Sequence, residues 1–131
     1  MLPEPLHQSY SALFATLDQL ESLLKSEDSK LLQQTWPNLQ NVFRSLVTGV
    51  NEAIAENMLE PEQASRIQSI HTEMNKGLRL LNTDIVFLNT AKQPTTIQQR
   101  QKQIGDRLQS MRQYGEAALS LWTTSTSDAD G

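Results

Sequence analysis

The side chains that could perform chemistry are few and widely spaced in this sequence. There are two histidines, His7 and His71, and no cysteine, which excludes disulfides, thiolate metal sites and cysteine nucleophiles. A metal-binding helical bundle needs Glu-x-x-His motifs on facing helices, and the chain does not supply two of them. Glu52 and Glu56 fall one turn apart on an outer face, and no phosphate-binding loop or serine elbow occurs. We therefore predict a chain that is not an enzyme and has no catalytic residues, cofactor or metal.

His71 is the one residue for which we consider a reaction, the transfer of a phosphoryl group. Histidine phosphotransfer domains are helical bundles of this size, whose phosphoaccepting histidine is closely followed by Lys and Gly. The stretch from His71 to Lys76 and Gly77 loosely resembles that pattern, but its Lys and Gly lie two residues further on. Lys76 is thereby moved off the face of the histidine. Because a phosphoacceptor must be exposed, we favour a half-buried His71 that is hydrogen-bonded within the bundle.

The helix that should carry His71 has two apolar faces. Residues spaced alternately by four and three positions form one seam on it. The seam consists of Ile67, His71, Met74, Leu78, Leu81, Ile85 and Leu88. Leu80 and Phe87 share a second line, roughly 130–150° away. A helix that is apolar on two faces must be covered on both sides, by its own chain or by a partner.

Three further amphipathic segments surround this one in the sequence. We predict helix 1 from about residue 3 or 5 to 25, helix 2 from about 30 to 57, helix 3 over about 61–91 and helix 4 from about 95 to 122. Pro37 lies inside helix 2, so we expect a kink there, or a short helix before a main one.

Short connections between four such segments indicate an all-α fold. We predict one domain over residues 1–122, an elongated antiparallel four-helix bundle of up-down-up-down topology. The alternative architecture is a pair of helical hairpins that completes its core only as a dimer. Residues 123–131 have nothing to bury and are predicted to be a disordered tail.

Charge is unevenly distributed along the chain, whose net charge is −4. Residues 51–73 carry five glutamates against Arg66 alone, and residues 92–112 carry five basic residues against Asp106 alone. Two interpretations are open: the two segments face each other in the folded chain, or they form a site for a partner. We favour the first. The overall acidity argues against nucleic-acid binding. No apolar run approaches a membrane span and no signal peptide is recognised, so we expect no membrane insertion and a cytoplasmic location.

Two stripes of residues are the best candidates for binding a partner. Arg100, Arg107 and Tyr114 recur every seven residues on helix 4, and both residue types are enriched at interfaces. Leu80 and Phe87 form the second stripe of helix 3. The alternatives are that the arginines pair with acids of helix 2 or 3 and that a third helix buries the apolar stripe. We predict these five residues as the partner-binding surface.

Four strings in the C-terminal half resemble the cyanobacterial PatD family. They are Ala-Ser-Arg-Ile-Gln-Ser at 64–69, Met-Asn-Lys-Gly-Leu-Arg-Leu-Leu at 74–81, Asp-Ile-Val-Phe-Leu at 84–88 and Ala-Lys-Gln-Pro-Thr-Thr-Ile-Gln-Gln-Arg-Gln at 91–101. The resemblance is strongest over about 60–122 and involves helix-packing residues. It implies a cytoplasmic, non-enzymatic helical protein that binds the tubulin-like division protein FtsZ and promotes its assembly, thereby influencing cell division and heterocyst frequency. The alternatives are a phosphotransfer protein using His71 and a structural bundle that forms a homodimer.

Overall fold

The chain folds into α-helices joined by short turns. This computed structural model describes residues 2–130, and the side chains of residues 2–122. The helices are α1 (Glu4–Lys25), α2 (Ser29–Thr35), α3 (Pro37–Ala55), α4 (Pro61–Thr90) and α5 (Pro94–Asp130). Residues 2–130 contain no β-strand, so the predicted all-α fold is confirmed. None of the helices in this range is both long and apolar enough to cross a membrane.

Proline starts three of the helices, and left-handed residues end two of them. Pro37, Pro61 and Pro94 are the first residues of their helices, where the missing N–H has no intrahelical partner to lose. Glu27 (φ 59°) and Asn57 (φ 60°) adopt the left-handed conformation just after α1 and α3. That conformation turns the chain out of a helix and satisfies its last carbonyl groups. The short turns therefore reverse the chain direction.

Predicted helix 2 is divided at Trp36 into α2 and α3. Trp36 keeps a helical backbone, and its N–H donates to the carbonyl of Leu32 at 2.9 Å. Pro37 has no N–H to continue this pattern, and the next bond runs from Leu39 N–H to the carbonyl of Trp36 at 3.0 Å. The predicted interruption near Pro37 is confirmed, in the form of a short helix before a main one. Both α2 and α3 pack against α1, and α2 also packs against α4.

The helices pack side by side with α5 between α1 and α4. At one end of the α1–α5 contact, Trp122 Nε1 donates to the hydroxyl of Tyr10 at 3.1 Å. Further along α1, Leu24 lies beside Gly105, where a Cβ would be 3.5 Å from Leu24 Cδ2. The start of α1 thus meets the late part of α5 and the end of α1 meets its early part, which fits the antiparallel arrangement predicted.

The core contains the seam predicted on helix 3 and apolar residues at similar spacing on α1 and α5. All seven seam residues of α4 are buried, including His71. On α1 the buried apolar residues are Leu6, Tyr10, Leu13, Leu17 and Leu20. On α5 they are Ile104, Leu108, Met111, Ala118 and Trp122. Removing these side chains from water is the main favourable term in folding, so heptad-like spacing decides which face of each helix points inward.

Helix α5 continues beyond its predicted end at Trp122, and its backbone is helical through Asp130. The side chains of residues 123–131 lie outside the described part of the chain. The predicted disorder of this segment stays a prediction.

Candidate partner-binding site

The second apolar stripe of α4 is exposed. Leu80 is 48% exposed and Phe87 is 47% exposed, although seam residues on the same helix are fully covered. The alternative that a third helix buries this stripe is therefore wrong. Val86 is similarly exposed, at 44%, but lies about 100° around the helix from Phe87. Two apolar side chains exposed along one line of a helix make this line a candidate interaction surface.

A buried carboxylate lies between the two exposed apolar residues. Asp84 follows Leu80 by one turn of α4 and precedes Phe87 by one turn, and only 5% of its side chain is exposed. Arg100 Nη1 donates to Asp84 Oδ1 at 3.4 Å, and Arg107 Nε donates to Asp84 Oδ2. The carboxylate is thus shared by two guanidinium groups from α5, which compensates its removal from water. The alternative that these arginines pair with an acid of predicted helix 3 is confirmed for Arg100 and Arg107.

Arg100 also covers part of the exposed aromatic ring. Its guanidinium carbon lies 4.7 Å from the centroid of Phe87, within the range of a cation–π contact. Its Nη1 makes another bond to Gln103 Oε1 at 3.1 Å. Asp84, Gln103 and Phe87 together hold this guanidinium in one orientation while about a third of the Arg100 side chain stays exposed.

The structure brings together four of the five predicted partner-binding residues. Leu80, Phe87, Arg100 and Arg107 surround Asp84, whereas Tyr114 is half-buried against the core two turns along α5 from Arg107. Asp84 was missed as a member of this group. Its signal in the sequence is an acid placed between two members of an otherwise apolar stripe.

The expectation that residues 51–73 pair with residues 92–112 is wrong. Among the described side chains, no ion pair joins the two segments. Arg112 pairs with Asp18 and Glu21 of α1, at the far side of α5 from Asp84. Glutamates of the acidic segment instead form local pairs on α4, Glu62 with Arg66 and Glu73 with Lys76. The basic segment meets acids on α1 and α4, the helices that pack against α5.

His71 is buried between α3 and α4. Its ring meets that of Phe43 edge to face, with centroids 5.8 Å apart, and only 7% of the residue is exposed. Within the described part of the chain, Nε2 is buried and has no hydrogen-bond partner, so the predicted bonding within the bundle is wrong at this atom. Burial lowers the pKa of His71 to about 4, which makes the imidazole neutral at pH 7. Lys76 forms an ion pair with Glu73, with Nζ 3.3 Å from Oε1, and not with His71.

No group of three or more His, Asp or Glu side chains in the described residues is arranged to hold a metal ion. Comparison of the chain with protein-family models and with curated proteins finds no match. The resemblance to the PatD family therefore stays a prediction that rests on the four strings alone.

Proposed function

We propose that this chain is a non-enzymatic module that binds a protein partner through its α4–α5 face, formed by Leu80, Asp84, Phe87, Arg100 and Arg107. The observation that carries the proposal is the exposed Phe87 ring with the Arg100 guanidinium in cation–π contact with it. Aromatic residues and arginine are both enriched at protein interfaces relative to the rest of the surface.

The arginines of this face are held in place before any partner binds. Asp84 orients both guanidinium groups, and less side-chain freedom remains to be lost in a complex. Leu80 and Phe87 are each about half exposed. Burying the remaining half of a large apolar side chain contributes about 0.7–1.5 kcal/mol, so the pair would supply about 1.5–3 kcal/mol of binding free energy.

The charge of the face indicates which chemistry it would recognise. Two guanidinium groups share the single carboxylate of Asp84, which leaves one positive charge in excess beside the two apolar side chains. A complementary surface would present an apolar side chain for Phe87 and an acid for the exposed edges of Arg100 and Arg107.

The resemblance to the PatD family supplies the name of the partner. We infer that the partner is FtsZ and that binding promotes its assembly in the cytoplasm, with effects on cell division and heterocyst frequency. The test is to add the purified chain to FtsZ with GTP and follow polymer mass by sedimentation and light scattering. The expected result is more polymer in the pellet, with the chain in that pellet. No co-sedimentation and no change in polymer mass would reject this partner.

A second copy of the chain is the other occupant that an exposed apolar face suggests. Light scattering of the chain alone decides this, because a homodimer through the α4–α5 face would double the mass and would dissociate in Phe87→Gln. The phosphotransfer alternative gains no support from a buried, neutral His71. It predicts labelling of His71 by a phosphorylated receiver domain, and an unlabelled chain rules it out.

A further inference from the structure

A groove separates α3 from α4 on the flank of α4 away from the α4–α5 face. Helix α3 packs mainly against α1 and makes little contact with α4, whereas α2 packs against both α1 and α4. Phe43 and His71 meet at its base. The groove has a volume of about 420 Å³. That volume lies within the usual range for sites that hold a small molecule.

The charge of this groove is opposite to that of the protein. Arg44 of α3 and Arg79 of α4 both line it, and no acidic residue does. The chain has six arginines. The other four pair with carboxylates, whereas Arg44 and Arg79 have no acid within 4.0 Å among the described side chains. Two unpaired guanidinium groups in one concave site, in a chain of net charge −4, favour an anionic occupant.

The remaining lining is partly apolar and partly polar. Phe43, Val47 and Leu78 provide apolar walls, and two threonines and two amide side chains lie among them. His71 adds a neutral imidazole whose Nε2 is unsatisfied within the described residues. Apolar walls with a few polar groups are the usual composition of a small-molecule site. Most buried polar atoms in native structures have a hydrogen-bond partner.

We propose that the α3–α4 groove binds a small organic anion, with its charged group between Arg44 and Arg79 and its apolar body against Phe43 and Leu78. The charged group is a carboxylate or a phosphate, because a planar guanidinium fork binds either through two parallel hydrogen bonds. The site is separate from the proposed partner surface and does not depend on it.

The test uses the full chain labelled with ¹⁵N and four probes: phenyl phosphate, phenylacetate, inorganic phosphate and phenol. The expected result is a saturable shift of amide signals over residues 43–48 and 71–79 with one or both aromatic anions. The tighter of the two identifies the charged group. Inorganic phosphate and phenol should bind at least several-fold more weakly, because each lacks one half of the recognised chemistry. Equal binding by either of them would overturn the proposal of an amphipathic ligand.

Variants locate the charged group. Arg44→Gln combined with Arg79→Gln should weaken binding by about tenfold or more, the loss that follows from removing charge-assisted hydrogen bonds. Both arginines are exposed, so the variant should fold. Arg66→Gln is the matched control, since Arg66 is an exposed arginine of α4 outside the groove. It should change affinity less than twofold. Unchanged affinity in the double variant, or shifts that map elsewhere, would overturn the assignment.

Discussion

Lowering the pH should destabilise this protein through His71. Burial lowers the pKa of His71 from 6.5 to about 4 in the folded chain, and the unfolded chain regains the ordinary value. Between these two pKa values the unfolded state binds more protons than the folded state, so the free energy of unfolding rises with pH. The stabilisation is complete above the unfolded pKa and is lost as the pH falls through 6.5 towards 4.

The magnitude follows from the two pKa values. Each unit of difference is worth about 1.4 kcal/mol, which gives a total on the order of 3 kcal/mol. Between about pH 7.5 and about pH 5, His71 should account for a loss of about 2 kcal/mol in the free energy of unfolding. Urea unfolding at these two pH values measures it.

Two variants separate His71 from other titrating groups. His71→Leu keeps most of the side-chain volume and removes the unsatisfied Nε2, so it should be no less stable at neutral pH and should lose about 2 kcal/mol less on acidification. His7→Gln removes an exposed histidine on α1 and should keep the full loss. If His71→Leu and the unmodified chain lose equal free energy of unfolding on acidification, the assignment of this loss to His71 is refuted.

Three further changes test the packing. Leu81→Ala should lower the free energy of unfolding by about 2–5 kcal/mol because it leaves a cavity in the core, whereas exposed Leu80→Gln should change it by about 0.5 kcal/mol or less. Equal losses in urea unfolding would contradict the assignment of Leu80 to the surface. Gly105→Ala should raise stability by about 0.5–1 kcal/mol, since the new methyl would meet Leu24 at an ordinary 3.5 Å. A lowered Tm would contradict this packing. Asp84→Asn should cost about 1–3 kcal/mol because two guanidinium groups lose their charged acceptor, and an unchanged denaturation midpoint would argue against both ion pairs.

The sequence was sufficient to predict the apolar seams and the break at Pro37. Both depend on local properties, because periodicity selects the inward face of a helix and a proline has no N–H wherever it occurs. The seam from Ile67 to Leu88 is buried as predicted, and only the hydrogen bonding of His71 differs.

The surroundings of the second stripe could not be predicted in this way. Whether Leu80 and Phe87 are covered depends on how the neighbouring helices pack against α4. The spacing of residues within α4 does not determine that packing. The ion-pair partners of charged residues likewise depend on which helices are neighbours. Arg112 meets Asp18, which lies 94 positions away in the chain, because α5 packs beside α1. Segment charge gives the sign of a surface, but neighbouring helices determine the partners of each group.

The central claim, that the α4–α5 face binds a protein partner, is tested most directly by calorimetric titration of FtsZ with three forms of the chain. The double variant Leu80→Gln, Phe87→Gln should bind roughly tenfold to a hundredfold more weakly than the unmodified chain, as expected from losing about 1.5–3 kcal/mol of apolar contact. Val86→Gln removes an equally exposed apolar side chain from another side of α4 and should bind like the unmodified chain. Equal affinity in all three forms, or a loss confined to Val86→Gln, would contradict the account.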